Sequence, residues 1–226
     1  MKNHGRSLKK KLFDLLNQGD SDKAFAEIGR LPHRQIINPL FSFIQSGNDK
    51  VKWGAVKAAG QVVTQLADGD LEAARVIMRR LMWTLNDESG GIGWGSPETM
   101  GEIMASHGGL AREYARILLS YAREDGNYLE HEGLQRGLLW GVGRLSEKRP
   151  ELVRDAAGLF LPYLTSGDEV IRGLAARLMG LLRVKEARPL LQKLAQDESP
   201  IALVIENRLT MTRVQDLAEE ALRAIG

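Results

Sequence analysis

The chain has 226 residues, 43% hydrophobic and 27% charged, with 31 basic and 29 acidic side chains and no cysteine. That length and apolar share suit a folded protein with a sizeable core and argue against a disordered chain. A formal charge of +2 gives no general drive toward nucleic acid or anionic membrane, and the lack of cysteine excludes disulfides, thiolate metal sites and thiol nucleophiles.

The N-terminus, Met1 to Ser7, carries basic residues but no apolar signal core. No run approaches the roughly 18 apolar residues of a membrane span, so the expected location is the cytoplasm. Leu8, Leu12, Leu15 and Leu16 form one face of a first helix that stops at Gly19. Asp22 opens a second, with Phe25 and Ile28 on its apolar side. From Pro32 the helical period resolves into five pairs, over 32–66, 68–107, 108–145, 150–183 and 185–209. Each has a first helix, a short turn carrying Asp, and a second helix with small residues inside it. Thr212-Arg213-Val214-Gln215 fits a capping box for a last helix over 213–225. No strand pattern of any length stands out. Trp83 and Trp140 sit inside apolar helical stretches and read as core.

One frame recurs through the pairs. Trp53-Gly54 is followed by Gly60, Trp94-Gly95 by Gly101, Arg136-Gly137 by Gly143, and Arg172-Gly173 by Gly180. The closing glycines step by 41, 42 and 37 residues. A period near 40 in helix-forming sequence marks a solenoid of helix pairs. The expected fold is therefore an all-α, right-handed solenoid in one domain over 1–226. Residues 1–31 cap one end, 32–209 carry the repeats, and the helix from 212 to 226 caps the other end.

The unit Ala187-Arg188-Pro189-Leu190-Leu191-Gln192-Lys193-Leu194-Ala195-Gln196-Asp197 resembles the first helix and turn of a HEAT repeat. Asp49 to Gly60 and Asp168 to Ala176 look like HEAT second helices, in which Asp caps the N-terminal amides and small residues let neighbouring repeats approach. The resemblance covers residues 32 to 210, and its flavour is closest to the short bacterial repeats of phycobilisome lyases. It implies the fold and leaves the partner open.

Residues 86–97 break the pattern. This loop gathers three glycines around Ile92, and with the following helix it holds Asp87, Glu88, Glu98 and Glu102 with no Lys or Arg between residues 84 and 105. Pro97 suits the first turn of a helix capped by Ser96. An exceptional loop in a regular repeat is a place to look for function, although it also serves to absorb a change of register. It is not a phosphate loop, because it follows a helix and lacks the Lys-Ser/Thr pair.

Glu98 and Glu102 share a helix face, and His107, Glu130, His131 and Glu132 are the other conceivable ligands. HEAT-repeat deoxyhypusine hydroxylases carry iron on His-Glu pairs near second-helix starts. The matching positions here hold Trp53-Gly54, Trp94-Gly95, Arg136-Gly137 and Arg172-Gly173, so neither that activity nor a metal or other cofactor is expected.

Equivalent residues of successive repeats stack in a row. Trp53, Trp94, Arg136 and Arg172 would form such a row, suited to an extended peptide with an apolar and an acidic end. The alternative places both tryptophans in the core and the arginines in solvent. The functional expectation is a non-catalytic protein- or peptide-binding module that uses Trp53, Trp94, Arg136, Arg172, Asp87, Glu88 and Glu98, with no membrane partner. The competing class resembles HEAT-like alkylpurine DNA glycosylases, with Trp83, Asp87 and Trp94 as the groove set. It is disfavoured by the acidic surroundings and the near-neutral charge.

Overall fold

Glycine, proline and aspartate punctuate apolar helical stripes along nearly all of this sequence, and the elements follow that punctuation. The structure, a computed structural model, describes residues 2–18, 22–86, 93–205 and 208–226. Its contacts divide into two units, residues 1–110 and 111–226, each with a core of its own.

The first unit is helical: α1 (Lys2–Asn17), α2 (Asp22–Ile28), α3 (His33–Phe43), α4 (Asp49–Gly69), α5 (Leu71–Leu85) and α6 (Ser96–Ser106). The long helix α4 is its centre and packs against the other five. Leu12, Leu15 and Leu16 of α1 are buried, as their spacing predicts. Two glycines set the approach distances. A Cβ on Gly54 would lie 3.3 Å from Leu16, and one on Gly60 would lie 2.7 Å from Cγ of Glu102 on α6. The caps shift slightly from expectation. Asn48, not Asp49, accepts from the Val51 amide, at 3.3 Å, and the Asp70 carboxylate accepts from Ala73 at 3.0 Å.

Trp83 corrects the sequence reading, because it is 79% exposed. Helix α5 buries Ala74, Ile77, Met78, Leu81 and Leu85. Trp83 lies two residues past Leu81, about 200° round the helix at 3.6 residues per turn, and so falls on the opposite face.

The second unit follows α7 (Gly108–Ser120), which begins at the border, with α8 (Glu132–Lys148), α9 (Glu169–Leu182), α10 (Arg188–Leu194) and α11 (Val214–Ile225). The first helix expected in the fourth pair is replaced by three short 3-10 turns, over 150–152, 154–160 and 162–165. Pro150 and Pro162 open two of these turns, and neither has an amide to carry a continuous helix through.

The fifth pair departs most from expectation. Among the described residues of 198–209 there is no second helix. Instead β1 (Pro200–Ile205) and β2 (Arg208–Arg213) make an antiparallel hairpin that pairs Pro200 with Arg213 and Leu203 with Thr210. The hairpin interrupts the pair, and α11 then takes the second-helix place, packing on α9 as α9 packs on α8. Its N-terminus is closed by the Asp216 carboxylate accepting from the Arg213 amide at 3.1 Å, so the box starts at Arg213, one residue on from the expected start at Thr212. Gly173 leaves room for Ile201 of β1, and a Cβ on Gly180 would lie 2.8 Å from Cα of Ala221 on α11.

Candidate functional site

In the first unit, Trp53 near the start of α4 and Trp94 just before α6 are both half-buried. Lys52 Nζ stands 5.0 Å from the Trp53 ring centroid and 2.8 Å from Glu98 Oε1. Glu98 and Glu102, which share a helix face, are both buried. The apposition of α4 on α6 at Gly60 encloses them, and Oε2 of Glu98 makes no hydrogen bond among the described residues. Gly95, rather than Ser96, is the residue that caps α6. Its φ of +78° turns the chain into the helix, and its carbonyl accepts from Thr99 Oγ1 at 2.6 Å. Ser96 lies inside the helix, with its hydroxyl 2.7 Å from that of Thr84. Asp87 and Glu88 lie outside the described residues, as does half of the glycine-rich loop, residues 87–92.

In the second unit, both arginines of the expected row are engaged. Arg136 forks onto Asp168, its Nε 3.0 Å from Oδ2, and Asp168 also caps α9 by accepting from Ile171 at 2.9 Å. Arg172 reaches Asp197 through Nη2 at 2.7 Å and donates to the Ser166 and Gly167 carbonyls. Lys52 and Glu98 make a related tie: in each pair a cation near the start of one second helix meets a carboxylate, which lies in the first turn of the next for Glu98 and ahead of the next for Asp168 and Asp197. The ties hold neighbouring repeats in register. Burial alone would raise the Asp168 carboxyl, but the hydrogen bonds from Arg136 and the Ile171 amide outweigh it and hold the group below the usual carboxylate range.

A pH dependence follows. A depressed folded-state value stabilises the fold fully above the unfolded aspartate value of about 3.9 and loses that contribution as pH falls through the folded value. Asp168→Asn keeps the cap but removes the ionic hydrogen bonds, and is expected to cost about 2 kcal/mol at pH 7. Urea unfolding should show the gap between wild type and variant closing below about pH 4. A gap that stays constant with pH would contradict the assignment.

His107 and His131, the two histidines considered as ligands, serve as caps. His107 Nδ1 accepts from the Leu110 amide and His131 Nδ1 from the Gly133 amide, each at 3.0 Å. Among the described residues, no group of three or more metal-ligating side chains converges.

One concavity of the second unit was not anticipated. Between α8, α9 and β1 lies a hollow of about 300 Å³. Its floor is apolar, made by Leu139, Leu174, Leu203 and Val204, and the indole of Trp140 forms one wall. Trp140 is half-buried rather than core. Its Nε1 donates to the Val204 carbonyl at 2.8 Å, which fixes the ring plane against β1. The rim carries Arg144, Arg177, Lys148 and Glu147, three cations against one anion. The two guanidiniums take opposite oxygens of Glu147, Arg144 at 2.8 Å and Arg177 at 2.7 Å.

Gly143 lies at this hollow, and a Cβ there would meet no atom within 4 Å. A mid-helix glycine costs about 1 kcal/mol relative to alanine. Packing explains Gly60 and Gly180; at Gly143 the absent side chain leaves space instead. The recurring frame singles out Gly143 in sequence, and Trp140 and Arg144 fall at i, i+4 on one face of α8. The third wall, β1, falls in a stretch that the helical reading took for a second helix.

No protein-family model and no curated protein matches the chain. Solved structures do. A designed armadillo repeat protein in complex with the peptide (KR)4 superposes with a TM-score of 0.59 at 15% identity, over 98% of this chain and 92% of that one. Computationally designed armadillo repeat proteins for modular peptide recognition give 0.54 at 16% identity, over 97% and 100%. An engineered protein also gives 0.54 at 16%, over 96% of each chain. At these identities the likeness is one of fold: the chain is an all-α helical-repeat solenoid, with one hairpin set into its last pair.

Proposed function

We propose that this chain is a non-catalytic protein- or peptide-binding module of the HEAT-like kind, which recognises its partner on the surface formed by the second helices of its repeats. The observation that carries the proposal is the hollow at α8, α9 and β1, kept empty by a helical glycine and walled by an oriented tryptophan. Its volume is at the low end for ligand pockets, which suits one large side chain of a peptide rather than a whole small molecule. Aromatic walls around a preformed pocket are the usual form of an anchor site. In the first unit, Trp53 and Trp94 offer aromatic surface at the equivalent helix starts. Arg136, Arg172, Glu98 and Lys52 hold the repeats that present these surfaces. The nucleic-acid reading gathers no support, since Trp83 stands on the outer face of α5 and Asp87 lies outside the described residues.

Selection from a random displayed peptide library tests the proposal. Enriched peptides should bind wild type and lose at least tenfold in affinity, about 1.4 kcal/mol, on Gly143→Leu, which fills the hollow. Selection that yields no binder, or only binders indifferent to Gly143→Leu, would refute the pocket as the recognition site.

A further inference from the structure

The second unit holds another hollow, of about 690 Å³, which shares no lining residue with the first. It lies between the turn that follows α7, the start of α8 and the 3-10 turns. We infer that it binds an organic cation on an alkyl stem, such as the guanidinium or ammonium end of an arginine or lysine side chain. This goes beyond the reading of the hollow beside Gly143 and does not rest on it.

The lining is fixed by local bonds. After α7 the chain folds back on the helix end, where the Asn127 amide donates to the Ser120 carbonyl at 3.2 Å and the Leu129 amide to the Tyr121 carbonyl at 3.1 Å. Gln135 Nε2 donates to the Tyr128 hydroxyl at 3.1 Å and to the Leu129 carbonyl at 2.8 Å, which holds the Tyr128 ring in place. The 3-10 turns add Gly158, Leu159, Pro162 and Tyr163.

Three features select a cation. First, the unpaired charge of the lining is negative. Arg123 spends its fork on Asp125, Nε at 3.0 Å and Nη2 at 2.8 Å, whereas Glu124 makes no ion pair among the described residues. No lysine and no second arginine lines the hollow among those residues. The Glu124 charge is felt inside: burial, then the Tyr128 hydroxyl and the Glu124 carboxylate, push the buried Tyr163 hydroxyl above the usual tyrosine value. Second, both hydrogen bonds of the Gln135 side chain are made by Nε2, which leaves Oε1 as an acceptor. Third, the Tyr128 ring is 38% exposed and offers its face to a cation, while Ala122, Leu159 and Pro162 suit an alkyl stem. An anion would meet Glu124 and Asp125 instead.

The test is a chemical-shift titration of the full chain with three probes. These are the terminally blocked peptide Ala-Ala-Arg-Ala-Ala, its citrulline counterpart, which keeps the shape and loses the charge, and propylguanidinium. The arginine peptide should bind about fivefold more tightly than the citrulline peptide, the size of one exposed ion pair with a ring contact. It should weaken several-fold on Glu124→Gln, weaken with added salt, and be lost on Gly158→Leu. A Cβ on Gly158 meets no atom within 4 Å, so the leucine fills the hollow without displacing its neighbours, and circular dichroism will verify that both variants are folded. An arginine peptide that binds more tightly than propylguanidinium upholds the site with a peptide as its source, and equal binding of the two upholds it with a free cation. Equal binding of the citrulline peptide, full binding by Gly158→Leu, or no binding of either cation would overturn the inference. Gly143→Leu should leave arginine binding unchanged, so each hollow succeeds or fails separately, and loss of arginine binding in that variant would also overturn this assignment.

Discussion

Gly95→Ala is expected to destabilise the protein by about 3 kcal/mol, with αL strain near 1–2 kcal/mol added to an overpacking cost of similar size. Two independent observations meet at this residue. Its φ of +78° lies in the left-handed region, where a Cβ crowds its own backbone. That Cβ would also run into the Ile44 carbonyl, 2.9 Å from its carbon, and a backbone group cannot swing aside. The position cannot relax without releasing α6, because the Gly95 carbonyl accepts from both the Thr99 amide and the Thr99 hydroxyl. For a chain of this size the loss corresponds to a drop of roughly 6–12 °C in melting temperature. A variant that melts with wild type would show that the chain enters α6 by another route.

Gly180→Leu and Gly143→Leu make the same chemical change in two neighbouring helices and should have opposite effects. Both remove a glycine from a helix interior, a gain of up to about 0.8 kcal/mol from propensity alone. At Gly180 the new Cβ meets Cα and Cβ of Ala221 at 2.8 and 3.0 Å, so α9 and α11 must separate. The expected net cost is about 3 kcal/mol, at the upper end for overpacking a core. At Gly143 the side chain enters empty space, and stability should hold or rise. Chemical denaturation of the two variants side by side tests this. Equal destabilisation would mean that the hollow at α8 does not exist as described.

The helices were legible because each apolar stripe is written locally. Leu12, Leu15 and Leu16 point inward at the spacing that predicted them. The recurrence of glycines was legible too, but not what each one does. Gly60 and Gly180 allow close packing, Gly95 makes a turn, and Gly143 opens a pocket. The difference lies in what stands opposite in space, which one chain position cannot state. The ion pairs of Arg136 and Arg172 were not legible for the same reason: their partners Asp168 and Asp197 belong to neighbouring repeats. The hairpin was missed although its signal was present. Ile201, Leu203 and Ile205 alternate in an apolar run, and two residues separate it from Arg208-Leu209-Thr210-Met211-Thr212. A strong helical period on either side drew the stretch into a helix pair. Without that hairpin the hollow loses the strand that carries Leu203 and Val204, so missing it hid the pocket as well.

The central claim is that this solenoid recognises a peptide at the hollow beside Gly143. The most direct measurement titrates one library-selected peptide against wild type and Gly143→Leu, with the melting temperature of each recorded in the same buffer. The account predicts at least a tenfold rise in Kd, about 1.4 kcal/mol, for a variant that melts no lower than wild type. An unchanged Kd in a fully folded Gly143→Leu protein would contradict it.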